Sequence, residues 1–248
     1  MNIADRFKIY FLSVSLAYAA SPGAPAHEQD MGTDSGHSGQ QAQFGARRVG
    51  YVDCGRTAEL ELNHKNLPTW EPSPEIKALI GTPAPEFAND LKWANSPPLT
   101  IAKLRGHPVF IRFWYRNCYM CQNSAPMLNE IYDDYASKGV VVIGIHHAKT
   151  TRGDTVAEVA DAARSLGFKF PVAIDNSWNT IERFWIHKSA REYSSASFLI
   201  DSNGTIVWGH DLGRLEKNTP AAASLHRAID ALLSKQTNVS WTKPQSQH

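Results

Sequence analysis

Between residues 81 and 234 the chain alternates strand-length apolar runs with stretches of helical period, and this order confines it to an α/β sandwich. Residues 109–114 form a β-branched and aromatic run. Residues 121–135 carry Met127, Leu128, Ile131 and Tyr135 at helical spacing, and Gly139 is placed to stop the helix. Residues 140–145 are continuously apolar, as in a strand covered on both faces. Asp154 is expected to cap a helix running to Leu166, closed by Gly167. A short strand at 171–174 and a short helix at 178–185 follow. Residues 197–200 and 205–208 flank Asp201-Ser202-Asn203-Gly204 as a hairpin. Thr219 and Pro220 open a last helix to Leu233. Two parallel crossovers followed by an antiparallel pair make a mixed central sheet flanked by helices.

The rest of the 248 residues divides by composition. Residues 1–26 read as a signal peptide: Arg6 and Lys8 precede a short apolar run, and small residues follow at Ala17-Tyr18-Ala19 and Ala24-Pro25-Ala26. That places the chain in a periplasmic or otherwise extracytoplasmic, oxidising compartment. Residues 27–48 are a flexible linker, in which His27, Met31 and His37 match no ligand spacing. Residues 49–80 form an N-terminal extension, residues 81–236 the main domain, and residues 237–248 a tail. With 25 basic against 24 acidic side chains and no basic run, nucleic acid is excluded as a partner.

Of three cysteines, Cys118 and Cys121 are separated by Tyr119 and Met120 at the junction of the first strand and its helix. A thiol at a helix N-terminus faces unpaired amides and the positive end of the helix dipole, so its thiolate is favoured. Cys121, one turn later, can reach back. In this reading Cys118 attacks a substrate disulfide and Cys121 resolves the mixed disulfide. A structural bridge closing so short a loop adds little stability. Half a zinc site would need Cys54, His146, His147 or others. Adjacent histidines on a strand point to opposite faces, so His146 and His147 do not pair. Cys54 is an odd thiol with no assigned role.

The segment Phe113-Trp114-Tyr115-Arg116-Asn117-Cys118-Tyr119-Met120-Cys121 resembles the F-W-x-x-x-C-x-x-C signature of the thioredoxin superfamily. Gly81-Thr82-Pro83-Ala84-Pro85-Glu86-Phe87, Leu104-Arg105-Gly106-His107-Pro108 and Ser197-Phe198-Leu199-Ile200-Asp201-Ser202-Asn203-Gly204 are similar to its TlpA/ResA branch of exported thiol-disulfide oxidoreductases. Val142-Ile143-Gly144-Ile145-His146 resembles the DipZ-like subgroup. The resemblance implies a thioredoxin-like fold, redox-active Cys118 and Cys121, and no bound organic cofactor. It further implies a protein disulfide or dithiol as substrate and a membrane thiol-reducing partner.

Departures from the family pattern are equally specific. Asn117 replaces the usual Trp, Tyr119-Met120 the usual Gly-Pro, and Ser124 a Glu common in ResA-like proteins. Arg112 stands where thioredoxins bury an Asp; its positive charge there would favour thiolates rather than accept protons, but its side chain is expected instead to run out to the sheet edge. Ala196 aligns with the cis-proline, so the Ser195–Ala196 peptide is expected to be trans. Trp114, Tyr119, Met120, Ser195 and Ala196 are the candidate substrate-binding residues, with Tyr119 and Met120 facing outward. The alternatives are a thiol peroxidase, a metal-binding chaperone and a redox-inactive docking module.

Overall fold

A computed structural model describes residues 70–187, 191, 193–235 and 243. They belong to one of the two units into which the chain divides, Leu62–His248. The segments expected as signal peptide and linker, most of the expected N-terminal extension, Cys54 and nearly all of the expected tail lie outside the described residues.

The elements follow in the order α1 (Pro74–Leu79), β1 (Lys92–Trp93), β2 (Val109–Trp114), α2 (Tyr119–Tyr135), β3 (Val141–His146), α3 (Val156–Ser165), β4 (Val172–Ile174), α4 (Asn179–Ile181), β5 (Ser197–Ile200), β6 (Ile206–His210) and α5 (Pro220–Leu233). A π-helical turn, Glu182–Ile186, continues α4. The six strands lie in the order β1-β4-β3-β2-β5-β6. The pairs β2/β3 and β3/β4 are parallel, and β2/β5, β5/β6 and β1/β4 antiparallel. This is the mixed sheet of a thioredoxin-like fold, with β2 near its centre.

All six residues of β2 are buried, and their alternation sorts them between two cores. Phe110 and Trp114 face Met127, Leu128 and Ile131 of α2 and Leu225 and Ile229 of α5. Val109, Ile111 and Phe113 face Ile76 of α1 and Phe184 and Trp185 of the π turn. Parity therefore puts Arg112 on the α2 side, between Phe110 and Trp114. A glycine at 144, opposite Arg112 in β3, gives room there, since a Cβ would come within 3.2 Å of the rings of Trp114 and Phe170.

Helix α2 starts at Tyr119, two residues before the start expected from periodicity, because Cys118 serves as its N-cap. The expected cap at Asp154 is corrected. Thr155 accepts from the Glu158 amide, and the Glu158 carboxylate accepts from Thr155 N in return, closing a capping box. A hydroxyl one residue later suits the N3 amide better, which leaves Asp154 for a buried ion pair. Two elements escaped the periodicity. Six-residue α1 is too short to show a repeat, and β1 exists through its pairing with β4, prolonged by Asn95, whose side chain bonds Phe170 O and Val172 N, each at 2.8 Å.

Candidate active site

Strand β2 stops at Trp114, and Tyr115-Arg116-Asn117 turns the chain into α2. The amides of Cys121 and Gln122 both donate to Cys118 O at 3.0 Å, so the first helical turn closes around Cys118. Its side chain is half-buried, whereas Cys121 is 2% exposed, and both are free thiols. The Cys118 thiol is pushed down from 9.0 to about 5. The chief cause is a hydrogen bond from the Cys121 thiol, supported by the amides of Cys121 and Met120 and by the Lys149 charge, and opposed by burial. The thiol-to-thiolate hydrogen bond thus outweighs the amides expected to come first. Cys121 is held well above the ordinary thiol range, because it donates to Cys118 and is buried. At neutral pH one sulfur is a thiolate and the other holds a proton for it.

Beneath the pair lies a polar floor. Ser195 Oγ is 3.1 Å from Cys121 Sγ. Arg112, expected at the sheet edge, is instead wholly buried, a correction that follows from its place on a central strand covered by α2. Its Nη1 donates to Ser197 Oγ at 3.0 Å, and its Nη2 donates to Gly213 O and reaches Ser124 Oγ at 3.4 Å. Ser124 also donates to Met120 O at 2.8 Å and accepts from Leu215 N at 2.9 Å, tying α2 to the loop after β6. The alternation of β2 was the signal that would have placed Arg112 here.

The expected substrate-binding residues separate. Tyr119 is 71% exposed beside Cys118. Met120 is half-buried against Gly213, whose φ of +73° and closeness to Met120 Sδ and the Tyr193 ring leave no room for a side chain. Trp114 is corrected to a core residue: it is 1% exposed and stands edge-on to His146 and Phe168. Ser195 and Ala196 are also buried. Their peptide is trans, as expected, since no cis bond occurs among the described residues. Ala196 O accepts from Phe113 N at 2.9 Å, so the backbone of this loop is already engaged with β2.

His146 and His147 diverge as the strand geometry requires. His146 lies 3.4 Å from Asp154, which also pairs with Arg116 at 3.0 Å, and His147 meets Ser194 Oγ at 2.9 Å. Burial holds His146 down to about 4 and His147 well below its ordinary value, so both are neutral. Among the described residues no group of three or more His, Cys, Asp or Glu is arranged to hold a metal ion.

The AhpC/TSA family profile matches residues 80–209. The chain is 34% identical over 126 residues to protein DipZ of Mycobacterium tuberculosis, a match spanning 50% of this chain and 17% of DipZ. It is 33% identical over 132 residues to the thiol-disulfide oxidoreductase ResA of Bacillus anthracis, covering 53% of this chain and 69% of ResA. Among solved structures, the crystal structure of a thiol-disulfide isomerase from Corynebacterium glutamicum superposes with a TM-score of 0.50 at 25% identity, covering 62% of this chain and 98% of that one. The solution structure of a candidate protein disulfide isomerase from Bacteroides thetaiotaomicron gives 0.53 at 24% identity, over 63% and 91%.

Proposed function

This chain belongs to the AhpC/TSA family, in a branch of thioredoxin-fold proteins that includes ResA, and from that premise we propose that it exchanges disulfides with protein substrates through Cys118 and Cys121. One observation carries the reading: two free thiols lie one helical turn apart at the start of α2, Cys118 half-buried at the N-cap and Cys121 covered behind it, a setting that lowers the first thiol and raises the second. The thiolate is the attacking species, and Cys118 is the sulfur a substrate can reach. It attacks the substrate disulfide, forming a mixed disulfide and releasing one substrate thiolate. Cys121 then loses its proton, attacks Cys118 and releases the second substrate thiol as the Cys118–Cys121 bond forms. The same steps run in reverse when the protein begins oxidised. Ser195, at hydrogen-bonding distance from Cys121 Sγ, lowers the cost of that deprotonation.

The exposed Tyr119 supplies an apolar contact next to the reacting sulfur, and Leu212, 52% exposed in the loop that packs on Met120, is a second. The apparatus is assigned to residues 81–236. The N-terminal pattern of residues 1–26 supports action outside the cytoplasm.

The test is reduction of insulin by dithiothreitol, followed by turbidity. The wild type is expected to accelerate it, Cys118→Ser to return it to the uncatalysed rate, and Cys121→Ala to accumulate a mixed disulfide visible by mass spectrometry. Equal rates for wild type and Cys118→Ser would reject the assignment. Determining the N-terminus of protein recovered from the periplasmic fraction tests export.

A further inference from the structure

Arg112 carries a guanidinium, charged across the neutral range, and its side chain is removed from water, a burial that works against the charge. Its hydrogen-bond partners are neutral: two serine hydroxyls, a backbone carbonyl and the Cys121 thiol, with Nε left without a partner. Among the described residues it makes no ion pair with a carboxylate. The sulfurs of Cys121 and Cys118 are the charge-bearing groups that act on it, and since Cys121 keeps its proton, the anion is the Cys118 thiolate. His147 and His210, the other buried titratable groups that feel it, are neutral or cationic and provide no counter-charge. The guanidinium therefore depends on sulfur for its charge balance.

Resting on the exchange reading above, we propose that Arg112 is a positioning residue, a buried counter-charge that stabilises the reduced Cys118–Cys121 pair and draws it toward accepting electrons from a protein dithiol. In the reduced protein the Cys118 thiolate and the Arg112 cation neutralise one another across a low-dielectric interior, where charge interactions are strong. Closing the disulfide removes the thiolate and leaves the cation buried with neutral partners. The oxidised state bears this cost and the reduced state does not, so the reduction potential rises. In the step so favoured, two substrate thiols join in a disulfide and their two electrons cleave the Cys118–Cys121 bond. One of the two protons goes to Cys121 and the other to solvent, because Cys118 leaves as its thiolate.

Full-length wild type, Arg112→Gln and Arg112→Lys are equilibrated with glutathione redox buffers at neutral pH, and the Cys118–Cys121 disulfide is quantified by mass spectrometry of its peptide. Arg112→Gln is expected to move the equilibrium at least about tenfold toward the disulfide, equivalent to ~30 mV. Arg112→Lys, which keeps the charge, is expected to stay near the wild type. A Gln variant that does not move, or a Lys variant that moves as far as Gln, overturns the proposal. Should the Gln variant fail to fold, the wild type decides: its reduced form is expected to melt above its oxidised form, and the opposite order overturns the proposal. A pair that forms no disulfide with glutathione at any ratio rejects the exchange reading itself.

Discussion

Cys118 and Cys121 are the same side chain in two environments one helical turn apart, and the helix start creates the difference. Cys118, at the N-cap, accepts hydrogen bonds from a thiol and two amides, whereas Cys121 donates one, keeps its proton and is covered. Alkylation of Cys118 by iodoacetamide should follow a titration with its midpoint near about 5, with Cys121 unreactive. Because the Cys121 thiol is the largest support of the thiolate, Cys121→Ala should move that midpoint upward, and Lys149→Ala should move it upward by less. A midpoint unchanged in Cys121→Ala would return the helix amides to first place. Ser195→Ala should lengthen the life of the mixed disulfide severalfold in stopped-flow measurements, since Cys121 loses a partner that favours its thiolate. The position of the pair at the strand-to-helix junction was legible in the spacing of residues 118–121. The floor of Arg112, Ser195, Ser197 and Ser124 was not, because its members come from β2, α2, β5 and the approach to β5, and no local pattern joins them.

At the scale of elements, capping and parity determine most of the arrangement. Thr155 and Thr219 each accept an amide of their own helix, and replacing either with Ala should cost about 1 kcal/mol in urea denaturation. Leu128, fully buried between α2 and the sheet, should cost about 2–5 kcal/mol as Leu128→Ala, the range for a cavity in a packed core. A loss below about 1 kcal/mol there would mean that the α2 face repacks freely. Strand β2 and helix α5 were readable to the residue at both ends, since each has a strong periodic signal and distinct stops. Asp154 and Thr155 show the opposite case. Both can cap, and the choice fell to Arg116, a distant partner that gives the Asp154 carboxylate an ion pair at 3.0 Å.

For the whole molecule, the depressed thiol makes stability depend on pH. The folded value of about 5 lies below the unfolded 9.0, so between these limits the unfolded chain binds a proton that the folded protein has released. Stability from this source is complete above about 9 and is lost as pH falls through about 5. The melting temperature of reduced wild type should therefore gain on that of Cys118→Ser as pH rises from 5 to 8, and a constant difference would contradict the linkage. Among the described residues no helix is long and apolar enough to cross a membrane.

Sequence alone determined the α/β order, the strand-to-helix position of the cysteine pair and the trans peptide at Ala196, because each depends on neighbours within a few residues. Tertiary structure decided that Arg112 is enclosed, that Trp114 is core and that Asp154 pairs across loops. These depend on which strand is central and which helix covers it, and burial of a charge becomes visible only when the covering layer is in place.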